Sequence, residues 1–306
     1  MFTRYPVKWF ALLLLFTASV AQAEVLKPFI LGDTPPGDLR QVSEHVKSKL
    51  TMQGFEIVGS YSPYPNAVVI CATNNELKAA AAKVPNGGFG AAQRVAVTDV
   101  KGKIQVSYVN PAYLGTAYGM GKLDNISARL KAALGDVKPF GSEKGIPEEK
   151  LGPGVYRYAM FMPYFNDVDV YMEHKDYKTA LETVEKNLAA GVGGTKKVYR
   201  IDLPGKQISV FGIAIPKGDG VAKGNKDTDK EIMDIVDFDE LKHTAYLPYE
   251  IVVDGNRVIA LRARYRIALN FPDTKMYGPH GFTKIMSAPW GIQLALEAVA
   301  GFHREQ

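Results

Sequence analysis

Two stretches of this sequence follow one plan, and that repetition limits what the chain can fold into. In Tyr246–Asn270 (YLPYEIVVDGNRVIALRARYRIALN), Ile251, Val252 and Val253 run into Asp254-Gly255-Asn256, and Val258, Ile259 and Leu261 run out. In Arg94–Asn110 (RVAVTDVKGKIQVSYVN), Val95 and Val97 lead to Lys101-Gly102, and Ile104, Val106 and Tyr108 lead away. Apolar β-branched runs broken at Asp-Gly or Lys-Gly predict β-hairpins, because the tightest hairpin turns need positive φ at their central residues. An Asn and a Pro follow each stretch (Asn110-Pro111; Asn270, Pro272), and then a Tyr-Gly pair (Tyr118-Gly119; Tyr277-Gly278).

What precedes the hairpins repeats as well. Asp38, with Gln41 three residues on, predicts the start of a helix whose buried stripe is Leu39, Val42, Val46 and Leu50. Asp176 predicts another start, with Ala180, Leu181, Val184 and Leu188 buried. Strands are expected at Phe55–Tyr61 and Ala67–Ala72, then at Lys197–Asp202 and Gln207–Ile215. Further expectations are a short helix Asn75–Lys83 capped by Thr73, a strand at Tyr156–Phe161, and helices at Leu123–Leu134 and within Ile292–Phe302. The helix caps lie 138 residues apart (38 and 176), whereas the hairpins lie about 155 apart (94 and 249). A duplication with an insertion in the second copy, within Pro216–Asp229, explains that inequality. The expected fold class is α+β: two related domains, each an antiparallel or mixed β-sheet with helices packed on one face. The boundaries are 24–137 and 155–306, with the insertion near 216–242 and a Pro, Gly and charge-rich linker over 138–154.

Residues 1–23 read as a signal peptide. Arg4 and Lys8 precede an apolar run from Trp9 to Val20, and Ala21-Gln22-Ala23 is a small-residue cleavage pattern. The expected location is periplasmic or secreted, with no membrane anchor after cleavage. The whole chain carries 37 Lys and Arg against 32 Asp and Glu. Removing Arg4 and Lys8 leaves 35 against 32, a net charge of +3. Nucleic acid is therefore not an expected partner, since that role needs a concentrated basic face. The one local cluster, Arg257, Arg262, Arg264 and Arg266, reads as strand, with the last three facing water. Cys71 is the only cysteine. It excludes an internal disulfide and any multi-Cys metal or haem site.

The residues around these elements resemble the DUF302 family, whose fold is of the TT1751-like α+β type. In the first half the likeness rests on Gly54-Phe55, on Val69-Ile70-Cys71-Ala72-Thr73-Asn74 before Leu77-Lys78-Ala79-Ala80, and on Arg94-Val95-Ala96-Val97. In the second half it rests on Phe211-Gly212-Ile213-Ala214 and on Leu247-Pro248-Tyr249-Glu250-Ile251-Val252-Val253. Tyr249 stands where the family carries a Cys, so a thiol role at that point is absent. The resemblance implies a fold over 26–135 and 155–300, in tandem where the family is usually single. It implies no reaction.

No hydrolase elbow, zinc-protease helix, phosphate loop or dinucleotide fingerprint is present, and no cofactor is expected. Gly218-Asp219-Gly220 and Asn225-Lys226-Asp227 suggest a calcium loop, but the ligand spacing and terminal Glu are missing. Three functional readings stand side by side. The first is an exported, non-catalytic binding or accessory protein for a small molecule or a protein partner. Its candidate ligand residues are His243, Tyr246, Tyr277 and His280, which flank the second hairpin. The 16 tyrosines, several of them in loops, favour binding surfaces. The second is an enzyme using those His and Tyr side chains as acid–base groups. The third is copper handling by Met160 and Met162, two apart on an expected strand and so sharing a face, with Met172 and His174, also two apart, shortly after.

Overall fold

The computed structural model describes residues 24–217 and 228–302. The proposed signal peptide and the calcium-like part of the insertion lie outside the described residues. No described helix is long and apolar enough to cross a membrane.

The first half begins with β1 (Val25–Leu26) and β2 (Phe29–Leu31), followed by α1 (Leu39–Met52), β3 (Glu56–Tyr61), β4 (Ala67–Thr73) and α2 (Asn75–Ala81). The hairpin β5 (Gln93–Val100) and β6 (Lys103–Val109) comes next, then α3 (Pro111–Ala117), α4 (Asp124–Leu134), β7 (Lys138–Phe140) and β8 (Ile146–Pro147). The second half runs β9 (Val168–Glu173), α5 (Tyr177–Ala189), β10 (Lys196–Asp202), β11 (Ile208–Ala214) and α6 (Asp229–Val236). It closes with the hairpin β12 (Tyr249–Asp254) and β13 (Arg257–Leu261), then α7 (Ala263–Asn270) and α8 (Ala288–Ala300). The class is α+β with antiparallel sheets.

Strand order in the first sheet is β3-β4-β5-β6-β2-β7, and in the second β10-β11-β12-β13-β9. Position for position, β10, β11, β12, β13 and β9 occupy the places of β3, β4, β5, β6 and β2. The register carries the match to single residues. Cys71 pairs with Arg94 as Gly212 pairs with Glu250. Arg94 and Glu250 are 156 residues apart, Cys71 and Gly212 141, so the second half holds 15 extra residues between β11 and β12.

Local chemistry sets the elements. Asp38 Oδ1 accepts from the Gln41 N–H and the Gln41 side chain answers the Asp38 N–H, the capping box that starts α1. At the first hairpin turn Lys101 and Gly102 both have positive φ (55° and 84°). Alternation then sorts the faces. Ile70, Ala72, Val95, Val97, Val106 and Tyr108 of the first sheet pack under α1 and α4 with Val42, Val46, Leu50, Ile126 and Leu130. Val69, Cys71 and Ala96 point the other way, into a larger apolar cluster shared with Phe211, Tyr249 and Ile259 of the second half. Helices α5 and α8 pack on the second sheet. Where β3 meets β10 the contact is between backbones. A Cβ on Gly59 would lie 2.2 Å from the Val198 carbonyl oxygen, so only glycine fits.

Four expectations are corrected. Tyr156–Phe161 is not a strand; the chain there is irregular, and the strand that corresponds to β2 is β9. The run from Arg262 onward is not strand either. After Leu261 the chain enters α7, and Arg266, expected to face water, is 2 % exposed because it pairs with Glu250. Residues 138–154 are not a free connection: β7 adds to β2, and β8 pairs with β1. The cap of α2 is Asn74, which accepts from the Leu77 N–H, while the Thr73 hydroxyl donates to the Ala91 carbonyl.

Candidate ligand-binding site

Three segments meet at one place: the end of β7 with the turn after it, the loop from α6 to β12, and the loop after α7. They enclose a cavity of about 690 Å³, within the size range of small-molecule sites.

The α6–β12 loop supplies the floor. Asp237 ends α6, and its Oδ1 accepts the backbone N–H of His243 at 2.9 Å, closing the loop on itself. The Gln105 side chain on β6 grips the same loop twice, donating to the Glu240 carbonyl at 2.6 Å and accepting from the Lys242 N–H at 3.1 Å. His243 is thereby set among three phenylalanine rings, with centroids 4.9 Å from Phe29, 5.6 Å from Phe140 and 4.8 Å from Phe271. Burial pushes its pKa down to about 4, since an imidazolium there would lose its hydration. Its Nδ1 is buried without a hydrogen-bond partner. Burial acts in the opposite direction on Asp237 and pushes its carboxyl up to about 7.

The walls come from the other two segments. Asp273 in the loop after α7 clamps the β7 turn. One carboxylate oxygen accepts from the Ser142 hydroxyl at 3.0 Å and the other from the Glu143 N–H. His280 stacks on Phe238 with centroids 4.1 Å apart, and its Nδ1 lies 2.9 Å from the Ile235 carbonyl oxygen. Tyr277 stands at the rim, 77 % exposed. Glu143, Asp239, Glu240 and Lys275 complete the charged lining.

His243, Tyr277 and His280 therefore share one cavity. Tyr246 does not line it. It is fully buried beside Phe271 and Tyr249, with the Arg266 guanidinium over its ring at 4.4 Å. The arrangement is suited to holding a ligand. The carboxylate that touches His243 binds its backbone, so it does not orient the imidazole as a carboxylate orients a general base.

The Met/His set is placed differently. Met160 is 71 % exposed in the irregular segment, so the strand face it was to share with Met162 does not exist. Met172 on β9 packs against the core. The His174 Nε2 lies 3.0 Å from the Ala300 carbonyl oxygen at the end of α8. Among the described residues, no three His, Cys, Asp or Glu side chains are grouped to hold a metal ion.

Sequence reasoning missed Phe140, Phe238, Phe271 and Asp273. Each lies in a segment with neither helical nor strand periodicity, and no local pattern joins three loops so far apart in the chain. It also missed the buried set Arg94–Glu250–Arg266. Arg94 Nη1 donates to Glu250 Oε1 at 2.6 Å and Arg266 Nε to Glu250 Oε2 at 3.0 Å. Comparison with protein families, with curated proteins and with solved structures gave no match.

Proposed function

We propose that this is an exported, non-catalytic binding or accessory protein that holds a small molecule in the cavity floored by His243. The observation that carries the reading is the meeting of His243, Tyr277 and His280, with rings of Phe140, Phe238 and Phe271, around one 690 Å³ space. Aromatic walls with a few fixed polar groups are the usual make-up of a small-molecule site. Export is supported by Arg4, Lys8, the apolar run after them and Ala21-Gln22-Ala23. The shared strand order supports descent from a duplicated unit, and the residue likenesses at 69–74 and 247–253 are what suggest a DUF302-like one. On that reading the added strand β7 and the 15 extra residues between β11 and β12 are additions next to the site.

Ligand-observed NMR of the processed protein against a fragment library tests the proposal. Binders should be found, and they should be lost or weakened at least tenfold in Phe238→Ala and Tyr277→Ala. Both side chains are largely exposed, so the variants should keep the parent fold by circular dichroism. A library with no binder, or binders indifferent to both substitutions, would overturn it.

A further inference from the structure

Resting on that reading, we propose that the cavity selects a small organic ammonium compound, an amine carrying an aromatic or apolar body. Charge is the first reason. The lining holds four carboxylates, Glu143, Asp239, Glu240 and Asp273, against the single cation Lys275, which gives −4 + 1 = −3. This stands out in a chain whose formal net charge is +5. Among the described residues, no Lys or Arg forms an ion pair with any of the four. Asp273 is occupied by Ser142 and the Glu143 N–H, while Asp239 and Glu240 stand at the mouth and are exposed. Like charges gathered in a concave site raise the local concentration of the opposite charge.

The walls are the second reason. The faces of Phe and Tyr rings carry negative potential and attract cations within about 6 Å, more strongly where water is excluded. Phe238, half-exposed with one face stacked on His280, and the exposed Tyr277 place two such rings in the lining. His243 is the third. It is 7 % exposed, and its buried ring nitrogen has no protein partner. Burial keeps the imidazole neutral at pH 7, so it carries no charge to repel a cation. An anionic ligand would meet the same carboxylates unpaired.

Isothermal titration calorimetry of the processed protein with three isosteric probes tests this: phenethylammonium, neutral 2-phenylethanol and anionic phenylacetate. Phenethylammonium should bind at least tenfold more tightly than either control. Its affinity should fall at least fivefold in D239N/E240Q, where both side chains are exposed and the fold is expected to persist, and should fall again as salt is raised. Equal binding of all three probes, or preference for phenylacetate, overturns the ammonium selectivity and leaves the cavity reading standing, provided that Phe238→Ala still weakens the bound probe. No binding of any probe overturns the selectivity, and with an empty fragment screen it removes the cavity reading too.

Discussion

Arg94 and Glu250 occupy the same position in the two sheets, and they are each other's partners, Nη1 to Oε1 at 2.6 Å, with neither side chain more than 2 % exposed. Arg266 from α7 takes the other oxygen of Glu250. One carboxylate thus holds two buried guanidinium groups where the halves meet. Arg94 also donates from Nε to the Ala245 carbonyl at 2.9 Å, and Arg266 from Nη2 to the Tyr246 carbonyl at 2.6 Å, so the set ties the turn before β12 to β5.

Glu250→Gln should be the most damaging single change in this set. It strands two buried positive charges, and removing one partner of a buried pair costs about 3–5 kcal/mol. Arg94→Met leaves the Glu250–Arg266 pair intact and should cost less. Urea unfolding monitored by tryptophan fluorescence measures both. A Glu250→Gln loss below that of Arg94→Met would contradict the shared-carboxylate arrangement.

Stability should depend on pH through two opposing effects. His243, pushed down to about 4 by burial, contributes stability that is present above about pH 6.5 and is lost as pH falls through 4, about 3 kcal/mol in all. Asp229 and Asp237 are both pushed up to about 7 by burial. Their contribution is present below about pH 3.8 and is lost as pH rises through 7, about 4 kcal/mol each. Removing the histidine titration should leave only the carboxylate effect, so His243→Gln should lose stability steadily from about pH 4.5 to 7.5. The double variant Asp229→Asn/Asp237→Asn should gain it between about pH 4 and 6.5. Chemical denaturation at stepped pH reads both slopes, and slopes of unchanged sign in both variants would refute the assignment.

Gly59→Ala should destabilise the junction of β3 and β10. The added carbon has the rigid Val198 carbonyl 2.2 Å away, so one strand must move. Overpacking of this kind costs about 1–3 kcal/mol. Gly102→Ala is the control for space, since a Cβ at Gly102 would meet nothing within 4 Å, and its loss should come only from the positive φ of 84°. Equal stability of Gly59→Ala and the parent would mean that the edges are farther apart.

Asp273→Ala should free the β7 turn without unfolding the protein. The Ser142 hydroxyl and the Glu143 N–H lose their acceptor, a loss of about 1–3 kcal/mol felt locally. Amide exchange at Glu143 should quicken markedly while exchange in β4 and β5 stays at the parent rate. Uniform acceleration across the sheets would show that the clamp is a global element instead.

Much of the fold was legible in the residue order. The α1 capping box, the buried stripe Val42–Val46–Leu50, both hairpins and strands β3, β4, β10 and β11 were readable from local patterns of two to four residues. Helix α7 was not. ALRARYR alternates as a strand would, and only the partners met inside, the Glu250 carboxylate with the Tyr246 carbonyl and ring, give Arg266 a reason to turn inward. The same holds for β9. Its predicted counterpart, Tyr156–Phe161, has the apolar content of a strand, but the edge of β13 pairs with Val168–Glu173 instead.

Of the site, the sequence marked His243, Tyr277 and His280 as unusual, because these residue types carry chemistry wherever they stand. It determined by itself the periodic elements and the repeated order, since hydrogen bonding and apolar spacing within one segment are local matters. Tertiary structure alone decided that Phe29, Phe140 and Phe271 would surround His243, that Tyr246 would be drawn under Arg266, and that Glu250 would face Arg94. Those outcomes bring together residues from 20 apart (Tyr246 and Arg266) to 214 apart (Phe29 and His243), and no spacing along the chain encodes which of them share one excluded volume.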